Sequence, residues 1–178
     1  MTKIGSWGRL AYDDHSVVPL SVASQISATI ANSQKPGIAY GLGRSYGDVC
    51  LNPKRTLWQL QAMDNFCSFD DEEGVLVCVS GVVLGDIQSL MMPKGWMLPV
   101  TPGTQWVTVG GAVANDVHGK NHHQMGTFGL CVRQITLVRT SGEVVECGPH
   151  QNVELFRATI GGLGLTGVLS RVSLQLVR

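Results

Sequence analysis

The chain has 178 residues with 13 basic and 13 acidic side chains, a formal net charge of zero, and no basic run. That balance excludes nucleic-acid binding, which needs a concentrated positive face. The length suffices for one real core or two small lobes, and no apolar run reaches the roughly 18 residues of a membrane-spanning helix.

In chain order, Ser21 to Asn32 is predicted as a helix with Val22, Ile26, Thr29 and Ile30 on one side. Ser21 is its expected N-cap and Lys35-Pro36-Gly37 its stop. Ile38 to Tyr40 reads as a strand, as does Thr56 to Leu60. Near Asp64 a second unit begins, in which the acidic turn Asp70-Asp71-Glu72-Glu73-Gly74 feeds a strand over Val75 to Val79. Leu84, Ile87, Leu90 and Met91 mark a helix ended by Pro93 and Gly95. Ile135 to Arg139 and Val144 to Glu146 form a hairpin around Thr140-Ser141-Gly142. Asn152 is placed as the cap of a short helix through Arg157, and Val168 to Val177 closes the chain as a strand with Val172, Leu174 and Leu176 inward.

Three glycine-rich turns interrupt these elements. The first, Gly41-Leu42-Gly43-Arg44-Ser45-Tyr46-Gly47-Asp48, follows the Ile38 strand. The second region, Val100 to Lys120, holds the turn Pro102-Gly103-Thr104 and then Thr108-Val109-Gly110-Gly111-Ala112-Val113-Ala114. This last stretch can open a short helix whose first amides lack partners within the helix. Such a segment is either a tight structural turn or a seat for a diphosphate, since free N–H groups favour an anion and paired glycines allow close approach. In the third, Gly161-Gly162-Leu163-Gly164-Leu165-Thr166-Gly167, the letters of G-x-G-x-x-G appear. A dinucleotide fingerprint of that kind needs a following helix and an acid about 20 residues on, whereas a strand follows here and the sequence stops at Arg178. The first turn has Tyr46 where a third glycine would stand. No Rossmann unit is predicted.

Taken as an ordered set, these segments resemble the FAD-binding domain of the vanillyl-alcohol oxidase family, the FAD-linked oxidases of PCMH type. The first turn resembles that family's first flavin turn. Pro102-Gly103-Thr104 with Val109-Gly110-Gly111-Ala112 is similar to its pyrophosphate segment, and Glu154-Leu155-Phe156 with Gly161 to Val168 to its third element. Gly-Arg-Ser-Tyr-Gly-Asp together with His118-Gly119-Lys120-Asn121-His122-His123 is most similar to the branch containing decaprenylphosphoryl-ribose oxidases and sugar-lactone oxidases. The resemblance implies an α+β fold of two α/β lobes, residues 1–62 and 63–178, with the flavin between them. It also implies a C-terminal substrate domain beyond Arg178, in keeping with a charged fraction of only 15%. Soluble domains average about 25%.

Residue roles follow from the resemblance. Cofactor contacts are expected from Gly41, Gly43, Arg44, Ser45, Tyr46 and Gly47, and from Gly103, Thr104, Thr108, Gly110, Gly111, Ala114 and Asn115. His118, Gly119, Gly164, Gly167 and Leu169 complete the expected set. Covalent members of the family carry a histidine where Arg44 stands, and a guanidinium cannot make that link, so FAD is expected to be held noncovalently; a solvated surface arginine is the competing reading of Arg44. His118 is expected under the isoalloxazine, hydrogen-bonding substrate or steadying charge during hydride transfer. Lys120 is expected to stabilise a reduced flavin or bind a substrate phosphate, with a plain surface lysine as the competing reading. Asn121, His122 and His123 are placed on the loop that meets the further domain.

The implied activity is oxidation of an alcohol group of a sugar, a sugar lactone or a polyprenyl-phosphate sugar by hydride transfer to flavin. Two other readings stay open: a noncatalytic flavin-binding module, and a hydrolase holding zinc on His118, His122 and His123. The second lacks the glutamate of H-E-x-x-H and any nearby cysteine, so no metal is expected. Five cysteines without a C-x-x-C point to reduced thiols. Together with the lack of a signal sequence, they point to a cytoplasmic location, with peripheral membrane contact through any lipid-linked substrate.

Overall fold

The computed structural model describes all residues, Met1–Arg178. The fold is α+β, with two sheets. The first has strand order β1-β2-β4-β3, from Thr2–Gly5, Tyr12–Pro19, Thr56–Gln59 and Gly37–Tyr40. Strand β1 runs antiparallel to β2, while β2 and β3 both run parallel to the central β4. Thr56, Leu57 and Trp58 of β4 are all buried, as expected of a strand covered on both faces. Trp58 turns to the main core and Leu57 packs with Tyr40 and Leu51 on the opposite face.

Parallel strands cannot be joined by a tight turn, so the chain must travel back between them. Helix α1 (Ile26–Asn32) makes the return from β2 to β3, and the loop containing the first glycine turn makes the return from β3 to β4. The glycine turn therefore lies at the carboxyl end of a parallel strand, where such sheets leave a crevice.

The second sheet has order β5-β6-β9-β7-β8, all antiparallel: Phe66–Asp70, Val75–Val79, Val168–Gln175, Val132–Val138 and Val144–Cys147. Helix α2 (Leu84–Met91) buries Leu84, Ile87 and Met91, and Gly95 at φ 80 ends the one-turn extension after it. Leu90, expected on the same face, is 42% exposed. Helix α3 (Val109–Ala114) follows Thr108, a short helix α4 spans His122–Met125, and α5 spans Val153–Thr159.

One core of 32 buried residues joins the two sheets, uniting Ile26 and Ile30 of α1 with Val113 of α3 and Val172 and Leu174 of β9. The β7–β8 hairpin also docks directly on α1: Ser27 Oγ donates to the Gly142 carbonyl. A Cβ on Gly142 would come within 2.9 Å of Ala31 Cβ.

Several local expectations are corrected. Ser21 caps nothing. A 3-10 turn over Ala23–Gln25 precedes α1, and Gln25 N bonds to Val22 O at 2.9 Å, which meets the need a cap would have served. Val22 is 46% exposed. Asn152 stands at the N-cap of α5 with φ 48, but its side chain faces β8, where Nδ2 donates to Glu146 O at 2.8 Å. His122 and His123 belong to the four-residue α4 rather than to a loop. Strands β1, β2 and β5 had no sequence signal.

Candidate functional site

A cavity of about 240 Å³ opens where the carboxyl end of β3 meets α3 and the turn before β9. The first glycine turn contributes Gly41, Gly43, Arg44, Ser45 and Tyr46 to its wall. Thr108, Gly110, Gly111, Ala114 and Asn115 line it from α3 and the flanks of that helix, and Gly164, Gly167 and Leu169 from the third turn and β9. Thus the three segments, more than 100 positions apart at their extremes in the sequence, converge on one space. Of the remaining residues singled out above, Gly47, Gly103, Thr104, His118, Gly119 and Lys120 lie outside this lining. Leu60, Ser80, Val107, Val117, Cys50 and Val49 line it without having been singled out.

Close approach explains two of the glycines. A Cβ on Gly41 would sit 2.6 Å from Thr108 Oγ1, so the first turn touches the residue that starts α3. A Cβ on Gly110 would lie 2.9 Å from Ser80 Cβ. Gly110 is thus small in order to pack α3 against the end of β6. Gly43 is required for its backbone, since it holds φ +63 against the Tyr40 hydroxyl.

Backbone amides distinguish the three turns. The free donors expected at the start of α3 are taken up within the fold: Val109 N donates to Val82 O and Gly110 N to Ser80 O, both at 2.8 Å. Gly111 N donates to Thr108 Oγ1 at 3.2 Å, a side-chain cap. The third turn serves the other end of the same helix. Gly161 N and Leu163 N donate to the carbonyls of Val113 and Ala114, at 3.0 and 2.8 Å. By contrast, no backbone N–H from Leu42 to Asp48 donates to a protein acceptor. Leu42 to Tyr46 of this run line the cavity, and a row of unpartnered amides on a cavity wall is the feature an anion uses. Ser80 adds a side-chain counterpart: the residue lines the same cavity, and its buried hydroxyl has no partner. A flavin nucleotide, with a diphosphate for the amides and further polar groups for the hydroxyl, fits this donor set.

The charged and titratable groups around the cavity are few. Arg44 is exposed, and the chain's one ion pair, Arg171–Glu146 at 3.3 Å, lies elsewhere, so Arg44 has no carboxylate partner. Burial pushes the Cys50 thiol up from its ordinary value, with the neighbouring Asp48 charge acting in the same sense. The Tyr40 hydroxyl donates to Gly5 O at 3.2 Å, and burial likewise raises it.

His118 and Lys120 are exposed beside the cavity, following Val117, which lines it. His118 forms an isolated bridge with Thr127. Gly119 is buried because a Cβ there would meet Thr101 O at 2.6 Å, and Asn121 Nδ2 donates to Pro99 O, so the whole segment is strapped onto residues 99–101. The imidazoles of His118, His122 and His123 meet edge to face at 5.5 and 5.9 Å, and His122 Nδ1 donates to Gly119 O at 3.1 Å. No set of three potential ligand side chains converges on one point anywhere in the chain. No helix is long and apolar enough to cross a membrane.

A family model described as an FAD binding domain matches residues 17–148. Among curated proteins, decaprenylphosphoryl-beta-D-ribose oxidase of Mycolicibacterium smegmatis is 37% identical over 98% of this chain and 39% of its own length. The D-lactate dehydrogenase of Anaerostipes hadrus is 29% identical over 91% of the chain and 34% of its own length. L-gulonolactone oxidase of Mus musculus is 27% identical over 89% and 36%. The chain therefore spans well under half the length of these relatives. Convergent glycine turns, free amides at the first of them, and a matching family model covering most of the residues lead to one conclusion: the chain belongs to the FAD binding domain family of FAD-linked oxidoreductases, with FAD as its cofactor.

Proposed function

We propose that the chain is the flavin-binding half of an oxidoreductase acting on an alcohol group of a sugar, a sugar lactone or a polyprenyl-phosphate sugar. When bound, FAD supplies the hydride acceptor. The residues of this chain hold it: the amides of Leu42 to Tyr46 take the diphosphate, and the Ser80 hydroxyl takes a polar group deeper in the cavity. Apolar walls from Ile38, Ala39, Leu60 and Leu169 exclude water around it. Arg44 holds the cofactor by charge alone, and the attachment is noncovalent. His118 and Lys120, exposed beside the cavity, face the substrate: the imidazole hydrogen-bonds it, and the ammonium stabilises negative charge on the ring or on a substrate phosphate. Residues 1–62 and 63–178 act as the two lobes about the flavin. A further C-terminal domain carries the rest of the substrate pocket and the base, and a lipid-linked substrate would bring the whole enzyme to a membrane face.

The observation that carries this reading is the run of unpartnered first-turn amides on a cavity that also holds the orphaned Ser80 hydroxyl. The names of two relatives, an oxidase of a ribose derivative and an oxidase of gulonolactone, support a sugar-type alcohol. The test is reconstitution with excess FAD, gel filtration, a visible spectrum and acid precipitation. A yellow protein whose colour passes to the acid supernatant is expected. A yellow pellet would overturn noncovalent attachment, and a colourless protein would overturn the cavity assignment.

A further inference from the structure

A second recess, of about 350 Å³, lies against the first glycine turn and is closed by the turn between β1 and β2. Leu42, Gly43 and Arg44 line both spaces, so this turn is a wall common to the two. The second recess carries two guanidiniums, Arg9 and Arg44, and no acidic side chain in its lining. Neither arginine is in an ion pair. In a chain of zero net charge, two unpaired cations on one recess are a local positive field.

Two further observations point to a ligand. Ser6 is only 6% exposed, lines the recess, and its hydroxyl has no partner. Arg9 adopts φ 52, a left-handed conformation in which glycine is the ordinary residue. The fold keeps an arginine there despite the strain, as is common at binding sites. Trp7 and Tyr12, 56% and 59% exposed, supply flat faces at the same recess, and Trp7 is steadied by an edge contact with Tyr46 at 5.4 Å.

We propose that this recess is a second anion site, sharing the wall of Leu42, Gly43 and Arg44 with the flavin cavity, which takes the phosphate of a phosphate ester on Arg9 and the Ser6 hydroxyl and the body of the ester on Trp7 and Tyr12. Guanidinium forks suit phosphate oxygens, and a hydroxyl completes the donor set. A carbohydrate or other flat-faced alcohol moiety suits the aromatic pair.

The test uses the whole chain, with and without saturating FAD, titrated with ribose 5-phosphate, with inorganic phosphate and with ribose, followed by calorimetry and by tryptophan fluorescence. Ribose 5-phosphate is expected to bind in both states, inorganic phosphate more weakly, and ribose not measurably. Arg9→Gln and Ser6→Ala should each weaken ribose 5-phosphate binding at least about tenfold, the equivalent of one charge-assisted hydrogen bond. Flavin absorbance retained after gel filtration should be unchanged in both variants. Equal binding of ribose and ribose 5-phosphate, or undiminished binding by both variants, overturns the proposal. So does competition by FAD combined with flavin loss in Arg9→Gln, because that result would give the recess to the cofactor's own diphosphate. Flavin retention by the parent chain is read separately, so failure of the flavin assignment leaves this test intact.

Discussion

The contact between the first turn and α3 can be tested with three glycine substitutions that separate crowding from backbone strain. In Gly41→Ala the new methyl carbon would stand 2.6 Å from Thr108 Oγ1, 3.3 Å from its Cγ2 and 3.5 Å from its Cβ, where ordinary contact begins at 3.4 Å. Thr108 has little room to yield: it is 4% exposed, and its hydroxyl accepts the Gly111 amide. Overpacking of this kind costs about 1–3 kcal/mol, and loss of the cap adds about 1 kcal/mol, giving roughly 2–4 kcal/mol in all. With an m-value of about 2 kcal/mol/M, the urea midpoint should fall by about 1–2 M. Gly103→Ala meets nothing within 4 Å and has no left-handed φ. It should leave stability within about 0.5 kcal/mol. Gly47→Ala also meets nothing within 4 Å, but its φ of +64 disfavours a side chain. A loss of about 1 kcal/mol is expected. Flavin retention should fall most in Gly41→Ala and be unaffected in Gly103→Ala. Equal midpoints for Gly41→Ala and Gly103→Ala would refute the close approach of the two segments.

Four further outcomes follow from the same geometry. Cys50 lines the cavity, so saturating FAD should slow its alkylation severalfold while the exposed Cys67 keeps its rate; an unchanged Cys50 rate would place the ligand elsewhere. Burial raises the Cys78 and Cys131 thiols from 9.0 to about 12, so both stay protonated in the fold when the unfolded chain has begun to ionise. Their contribution to stability is whole below pH 9.0 and is lost as pH rises toward 12, which pH-dependent urea midpoints would show; a flat profile across that window would count against the burial of both thiols. Ser80→Ala removes an orphaned hydroxyl, so the FAD-free chain should be unchanged or up to about 1 kcal/mol more stable, while flavin binding weakens. Destabilisation of the FAD-free chain would mean that the hydroxyl already has a partner. If the proposed role of His118 holds, His118→Ala should leave flavin retention intact and lower turnover in the proposed whole oxidoreductase; unchanged turnover would remove His118 from the proposal.

The legible parts of the fold were those where one physical pattern dominated. At the end of β9, alternation of buried Val172 and Leu174, continued by Leu176 just beyond the strand, with Arg171, Ser173 and Gln175 survives because one face of the sheet is covered by the core. Helix α2 showed its apolar side and its glycine stop for the same reason. Strand β2 showed nothing, because Tyr-Asp-Asp-His-Ser-Val-Val-Pro has neither alternation nor an apolar run. Long-range pairing with β4 fixes it as a strand, and its buried His15 is satisfied on both nitrogens: Nδ1 donates to Asp13 O, and Nε2 accepts from Asn52 N. The start of α1 was misplaced because a one-turn 3-10 segment occupies the place of a side-chain cap. Composition cannot distinguish these two ways of satisfying the same amides.

The site poses the same problem more sharply, because its three glycine turns look alike as letters and do different physical work. What matters at each is where the amides go, and that is decided by residues far away in sequence. At the start of α3 they go to Val82, Ser80 and Thr108, so a helix N-terminus that reads as an anion seat is closed by β6 and its exit. At Gly161 and Leu163 they go to the last carbonyls of that same helix, so the start of the third turn serves as its C-terminal cap. The first turn differs in keeping an unbroken run of open donors from Leu42 to Asp48, whereas in the third turn only Gly164, Thr166 and Gly167 lack an acceptor. Anion affinity is therefore a property of the topology around a glycine turn. The substitution that tests this leaves the residues of the first turn unchanged: Thr108→Val, whose side chain abuts Gly41, keeps the shape and removes the acceptor for Gly111 N. It should cost about 1 kcal/mol as a lost cap and leave diphosphate affinity at the first turn unchanged. A large loss of flavin with little loss of stability would return the anion to α3.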